Sequence, residues 1–146
     1  MIEEKVKEKL GNKIINWDKK NESRYYIEIR KEDIEECTHI LFGELECRFS
    51  IATGTDAGDN LEILYHFSYD KEGIFFSLKV KLGKGKPEIA SISRIIKGAT
   101  WIEREMWELL GINFTGHPEL KRLVLTEDWP EGVYPLRKDF KTADSR

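Results

Sequence analysis

The sequence predicts an α+β domain with a mostly antiparallel sheet, helices on one face, and an extended C-terminal arm. Four stretches between residues 24 and 82 alternate apolar and polar side chains, as half-buried strands do. Three other stretches repeat apolar residues at helical spacing. After residue 112 neither period continues, and three of the four prolines follow. We therefore predict an α+β domain over residues 1–112 and an arm over residues 113–146.

Composition and charge narrow the class of protein. The 146 residues are enough for one hydrophobic core. The net charge of -3 gives no basis for nucleic-acid binding, which needs a concentrated basic surface. No apolar run has the length that spans a bilayer, and the N-terminus is typical of an amphipathic helix rather than a signal peptide. We expect a cytoplasmic protein that meets a membrane only through its partners.

The first predicted elements are a helix over residues 2–10 and a brief strand over residues 14–17. In the helix, apolar side chains recur every four positions and a glycine follows the last of them. Residues 18–23 are polar and predict a turn. Residues 24–30 alternate again, which predicts a strand with one buried face.

The period becomes helical between residues 31 and 42, and Gly43 is the predicted end of this second helix. Residues 45–53 alternate, with the odd-numbered positions facing one way. Residues 54–60 are rich in glycine, aspartate and asparagine, and their composition predicts a turn.

The clearest strands are residues 61–69 and 74–82, which a four-residue turn joins into a hairpin. Together with residues 45–53 they predict a three-strand antiparallel meander. Residues 83–87 contain two glycines, two lysines and a proline, so the alternation ends in a loop.

A third helix is predicted over residues 100–110. Thr100 and Glu103 have the spacing of a capping box, and Gly111 is the predicted end of the helix. Four apolar residues form its core stripe: Ile102, Met106, Leu109 and Leu110. The charged residues and Trp107 are then expected on other faces, with Trp107 turned outward.

No metal site is predicted, because Cys37, His39, His66 and His117 lack the spacings that zinc ligands use. Cys37 and the other cysteine, Cys47, are expected to be small buried residues.

The Glu103-Arg104-Glu105 cluster has three interpretations. It is an acid/base cluster, or a capping carboxylate followed by a solvated pair of Arg104 with Glu108, or a surface that pairs with a partner's charges. Spacing alone leaves these open.

The arm is better explained as a partner-binding segment than as disorder. Trp129, Tyr134, Leu136 and Phe140 are apolar anchors, each contributing roughly 1.5–3 kcal/mol if buried. Two prolines of the arm, Pro130 and Pro135, lower the entropy lost on docking.

The C-terminal third resembles the signature of the 30 kDa subunit of respiratory complex I, the proton-pumping NADH:quinone oxidoreductase. The residues that carry it are Glu103-Arg104-Glu105, Glu108, Leu109-Leu110-Gly111-Ile112, Phe114, Gly116-His117-Pro118, Leu120, Arg122 and Pro135-Leu136-Arg137-Lys138-Asp139-Phe140. Upstream, Asp56, Tyr65-His66 and Ser91 also match the family pattern. The same module occurs in membrane-bound energy-converting nickel–iron hydrogenases.

The resemblance implies a subunit with no cofactor or metal of its own and no catalytic residue. Such subunits lie in the hydrophilic arm of the complex, at the cytoplasmic face of the membrane. They pack on the 49 kDa-like, hydrogenase-large-like subunit, and their arm runs over neighbouring subunits, including iron–sulfur subunits. The residues that become partner-interface candidates are Glu103, Arg104, Glu105, Trp107, His117, Trp129, Tyr134, Arg137, Lys138, Asp139 and Phe140.

The expected function is therefore a non-catalytic scaffold that supports electron transfer from NADH or another donor to quinone. The alternative is the equivalent subunit of a nickel–iron hydrogenase. The chain ends soon after Phe140 and has Lys141 where a proline is common, which keeps that alternative open. An enzyme using His117 with the Glu103–Glu105 cluster, and a stand-alone adaptor, are the remaining hypotheses.

Overall fold

The computed structural model describes residues 1–121, 130 and 132–138. In this part of the chain the helices are α1 (Ile2–Leu10), α2 (Ile34–Thr38) and α3 (Ala99–Leu110). The strands are β1 (Ile14–Asn21), β2 (Arg24–Ile29), β3 (Arg48–Asp56), β4 (Asn60–Tyr69), β5 (Ile74–Gly83), β6 (Glu88–Ala90) and β7 (Asn113–Thr115). No helix among the described residues is long and apolar enough to cross a membrane.

Five strands form one sheet in the order β1-β2-β5-β4-β3. Neighbours are antiparallel except for β2 and β5, which pair in parallel. The predicted meander is confirmed as β3-β4-β5, and the α+β class is confirmed with it. A second, two-stranded parallel sheet pairs β6 with β7.

One face of the large sheet carries the core. Tyr25 lies opposite Phe76, and Phe76 opposite Phe67, so aromatic side chains follow one another across three strands. The rings of Tyr25 and Phe76 stack with their centroids 5.4 Å apart. Helix α1 buries the residues that the four-residue spacing predicted: Ile2, Val6 and Leu10. Helix α3 crosses the same face at Gly54, where an added Cβ would lie 2.6 Å from Leu110 Cδ1.

Two predictions about the residues before β3 are wrong in detail. Strand β1 runs on to Asn21 through residues expected to be a turn, because the β1–β2 register continues as far as Asn21 opposite Arg24. The second helix is not one α-helix, since 3-10, α and π turns follow one another over residues 31–44. The π turn inserts a residue that lets adjacent Ile40 and Leu41 both enter the core.

The predicted face of β3 is wrong beyond Phe49. A bulge between Phe49 and Ile51 reverses the alternation, so Ala52 is buried and Ile51 is 46% exposed. Strand β3 also continues to Asp56, through glycine and threonine positions expected in the turn. Cys47 is buried as predicted, but it precedes the strand.

Strands β6 and β7 were not predicted. Ile89 lies opposite Phe114, and both are buried. Residues 113–115, placed in the predicted arm, therefore pair with a strand of the domain.

Candidate partner interface beside helix α3

Helix α3 begins without the predicted capping box. Gly98 is the N-cap residue, and no side chain caps the free N–H groups. The Thr100 hydroxyl instead donates to the Lys97 carbonyl oxygen at 2.8 Å. Glu103 turns into the protein, with 1% of its side chain exposed, so its role as a capping carboxylate was wrong.

Glu103 is the centre of a buried polar cluster. Its carboxylate accepts a hydrogen bond from Ser91 Oγ at 2.5 Å and another from the Ile92 N–H at 2.9 Å. Ser91 Oγ lies 2.7 Å from Ser93 Oγ. Burial raises the pKa of Glu103 to about 7, although the hydrogen bonds from Ser91 and Ile92 act in the opposite direction. This carboxyl joins α3 to the loop after β6.

His117 lies next to Glu103 and is also enclosed. Its Nδ1 accepts a hydrogen bond from the Glu119 N–H at 2.9 Å, so the proton of the neutral ring is on Nε2. Nε2 then donates to the Thr100 carbonyl oxygen at 3.0 Å and lies 3.8 Å from Glu103 Oε1. The ring thus fastens the loop after β7 to the first turn of α3.

This arrangement does not support the interpretation of Glu103, Glu105 and His117 as an acid/base cluster. Glu103 and His117 do meet, but their side chains are buried and bonded to neighbouring backbone. Glu105 lies on the exposed side of the helix, away from them. Among the described residues, no group of three or more His, Cys, Asp or Glu side chains could hold a metal ion.

Two further charged residues of α3 are also not solvated. Arg104 and Glu108 are buried, which contradicts the interpretation of a solvent-exposed pair. Arg104 Nε donates to the Lys121 carbonyl oxygen at 3.3 Å, and its guanidinium lies 5.2 Å from the centroid of the Trp101 ring. Trp107, expected to face outward, is half-buried and packs on the core. Among the tryptophans that the structure describes, the exposed one is Trp101, at 60%.

The segment Tyr134–Lys138 docks on the C-terminal end of α3. The Leu136 N–H donates to the Leu109 carbonyl oxygen at 3.0 Å, and Arg137 Nε donates to the Leu110 carbonyl oxygen at 2.7 Å. A cation at this end of a helix also complements the helix dipole. The Arg137 guanidinium lies 4.9 Å from the centroid of the Tyr134 ring.

Asp56, the last residue of β3, holds the end of this segment. Its carboxylate accepts the Lys138 N–H at 2.8 Å and the Gly58 N–H at 2.9 Å, and it pairs with Lys84 Nζ at 2.6 Å. The hydrogen bond from Lys84, followed by that from the Lys138 backbone, lowers the pKa of Asp56 well below its usual range. We refer to Asp56, Lys84 and the Lys138 amide as the Asp56 clamp.

A shallow groove of about 190 Å³ runs between β3 and α3, and the docked segment closes one side of it. The residues that line it include Ile51, Ile102, Glu105, Leu109 and Leu136. Ile51 and Leu136 are 46% and 55% exposed, respectively.

Of the predicted interface residues, the structure brings Tyr134, Arg137 and Lys138 together at the end of α3, with Glu105 on the adjoining groove. Glu103, Arg104 and His117 lie inside the fold. Trp129, Asp139 and Phe140 lie outside the described residues. Sequence reasoning missed Trp101 and Ile51. The signal for Ile51 was absent, since alternation placed it on the buried face.

Known proteins resemble this chain in sequence over most of its length. A family model described as "Respiratory-chain NADH dehydrogenase, 30 Kd subunit" matches residues 27–146. The membrane-bound hydrogenase subunit beta of Pyrococcus furiosus is 33% identical over 148 aligned positions, covering 97% of this chain and 85% of that protein. One subunit of the F(420)H(2) dehydrogenase of Methanosarcina mazei is 37% identical, covering 84% of this chain and 78% of that protein.

The fold has solved counterparts. A chain of the membrane-bound sulfane sulfur reductase, an archaeal respiratory membrane complex, superimposes with a TM-score of 0.83 at 21% identity, covering 98% of this chain and 85% of that one. The trypsin-resistant fragment of Nqo5 gives a TM-score of 0.66 at 18% identity, covering 82% of this chain and 98% of that one. These likenesses show the fold, and the family match together with the hydrogenase relative shows the family. The chain belongs to the family of the 30 kDa subunit of respiratory-chain NADH dehydrogenase.

Proposed function

We propose that this protein is a non-catalytic scaffold subunit in the hydrophilic arm of a membrane-bound, complex I-like oxidoreductase. It would dock on the large, 49 kDa-like subunit and contact neighbouring iron–sulfur subunits at the cytoplasmic face of the membrane. The electrons, from NADH or another donor to quinone, would pass through those partners. The proposed function includes no nucleic-acid partner.

The observation that carries the proposal is the apolar surface beside α3. Ile51 and Leu136, which line the groove, are 46% and 55% exposed, and Trp101 in the first turn of α3 is 60% exposed. Exposed apolar patches next to anchored segments are typical of surfaces that another protein covers. The buried, fully bonded positions of Glu103 and His117 support a structural rather than a chemical role for the signature.

A hydrogenase-type assembly is the second candidate. The membrane-bound hydrogenase subunit beta aligns with 97% of this chain, whereas the corresponding NADH-quinone oxidoreductase subunit of Rhizobium rhizogenes aligns with 58% of it, at 42% identity. The alignment with the hydrogenase subunit includes the N-terminal elements, whereas the alignment with the quinone oxidoreductase subunit covers only part of the chain. This difference favours a hydrogenase-type assembly.

The test is affinity purification of the tagged chain from membranes of its own host, with partner identification and metal analysis. Recovery of iron with quinone-reductase subunits supports the first candidate, and nickel with a hydrogenase-like large subunit supports the second. Trp129→Ala combined with Phe140→Ala should lower the yield of partners while leaving the unfolding curve unchanged. Recovery of the chain without any membrane partner would reject both candidates.

A further inference from the structure

The Asp56 clamp holds the C-terminal end of the segment Tyr134–Lys138. Asp56 is at the edge of the sheet, and 1% of its side chain is exposed. Hydrogen bonds from charged or backbone donors to an enclosed carboxylate are stronger than neutral ones on the surface. The clamp and the two bonds to the end of α3 therefore hold the segment at three points: the Leu136 N–H, the Arg137 side chain and the Lys138 N–H.

The clamped segment completes the groove. Leu136 lines the groove together with Ile102 and Leu109 of α3, and Ile51 of the edge strand β3 is also one of its lining residues. Because Leu136 and Ile51 remain exposed, the groove is an apolar surface that the chain assembles but does not itself cover within the described residues.

Glu105 gives the groove its charge. It is the one ionisable side chain among the described residues that line the groove, and it is exposed. No salt bridge within the described part of the chain involves it. A carboxylate covered by an apolar partner loses its hydration and is costly unless a cation or donor pairs with it.

We propose that the groove between β3, α3 and the clamped segment is a docking site for a segment of the large subunit that presents an apolar side chain beside an arginine or lysine. The apolar side chain packs in the groove against Ile102 and Leu136, and the cation pairs with Glu105. Arginine suits the position best, since its planar guanidinium binds a carboxylate through two hydrogen bonds. The inference rests on the proposed function and names the chemistry of the partner at one site.

Photo-cross-linking from the groove tests the proposal. Ile51→Cys, labelled with benzophenone-maleimide, would be introduced into the full chain and assembled in membranes of its own host. The native cysteines do not compete, because burial raises the thiol pKa of Cys37 to about 12 and that of Cys47 to about 11. Ile15→Cys is the matched control, an exposed isoleucine on β1 at the opposite edge of the sheet.

The expected product is a cross-link from position 51 to a peptide of the large subunit in which an apolar residue adjoins arginine or lysine. Glu105→Lys should lower the yield of that product at least about tenfold, since like charges repel across an interface. Glu72→Lys, in the exposed turn after β4, should leave the yield unchanged.

Other products would overturn the proposal. A cross-link to residues 139–146 of the same chain identifies its own tail as the occupant, and a cross-linked dimer identifies a second copy. If the large subunit is purified with the chain but cross-links only from Ile15→Cys, the proposed function stands and the groove assignment fails. If no membrane subunit is purified at all, both fail.

Asp56→Asn tests the role of the clamp. In the isolated full chain it should speed trypsin cleavage after Arg137 and Lys138 at least about tenfold, and in the complex it should lower the cross-link from position 51. Asp70→Asn is the matched control, because Asp70 is an exposed carboxylate paired with Arg48 far from the segment. Equal cleavage rates for the two variants would remove the clamp from the proposal.

Discussion

The large sheet and the surface beside α3 are held together by different forces. In the sheet, Tyr65, Phe67 and Phe76 are fully buried, and their contacts extend across several strands. Beside α3, the segment Tyr134–Lys138 is held by individual hydrogen bonds and one carboxylate. Apolar burial adds with area, whereas a polar attachment depends on a few atoms in the right geometry. The second region can therefore be altered by a single substitution that leaves the first intact.

Removing an aromatic ring from the sheet should have the largest effect. Phe67→Ala leaves a cavity in the core and should lower the free energy of unfolding by about 3–5 kcal/mol. Urea denaturation measures this decrease in the free energy of unfolding. Phe75→Ala is the control on the opposite, half-exposed face of the sheet, and a loss as large there would contradict the assignment of a single core face.

The Glu103 cluster should give a pH-dependent effect of intermediate size. Because the pKa of Glu103 is raised to about 7 in the folded protein from 4.5, the folded state holds this proton more tightly than the unfolded state. Stability is then greatest below the unfolded pKa and falls as pH rises from about 4.5 to 7. Against Glu103→Gln, the wild type should lose roughly 2–3 kcal/mol between pH 5 and pH 8.

Urea unfolding of both proteins at the two pH values measures that difference. Asp56 has the opposite sign, since its lowered pKa contributes stability above its usual value that is lost as pH falls. Parallel stability–pH curves for the wild type and Glu103→Gln would show that Glu103 is not buried as described.

The smallest of these effects on stability is expected where the segment Tyr134–Lys138 docks on α3. Gly111 and Gly132 both have φ of 78°, but only at Gly111 would an added Cβ meet a side chain, at 2.5 Å from Tyr134 Cε2. Gly111→Ala should cost about 1–2 kcal/mol and speed hydrogen exchange at the Leu136 and Lys138 amides. Gly132→Ala should leave those amides protected, and equal exchange in the two variants would contradict docking through Tyr134.

The sequence predicted most where apolar patterning decides the structure. Strands β4 and β5 and the buried stripe of α1 follow from alternation and spacing alone. The bulge beside Ile51 and the π turn each add a residue that changes which face is buried, and single-sequence periods do not reveal such insertions. Strands β6 and β7 are too short to show a period.

The burial of the charged residues of α3 was not predicted, because burial of a charge depends on partners that are distant in the sequence. Glu103 is enclosed by Ser91 and Ile92, which precede α3 in a separate loop, and local spacing gives no sign of them. The family resemblance identified the signature, and its membership is confirmed. Only the structure shows that Tyr134, Arg137 and Lys138 lie beside the end of α3.

The parallel pairing of β2 with β5 also has a consequence for synthesis of the protein on the ribosome. The β1–β2 hairpin is made first, but the inner edge of β2 gains its neighbour only when residues 74–79 have emerged. Until then β2 presents unpaired N–H and C=O groups next to Tyr25 and Ile27, a combination prone to association with other chains. We expect nascent chains stopped within β3 to bind chaperones, and chains stopped well beyond β5 to be released from them.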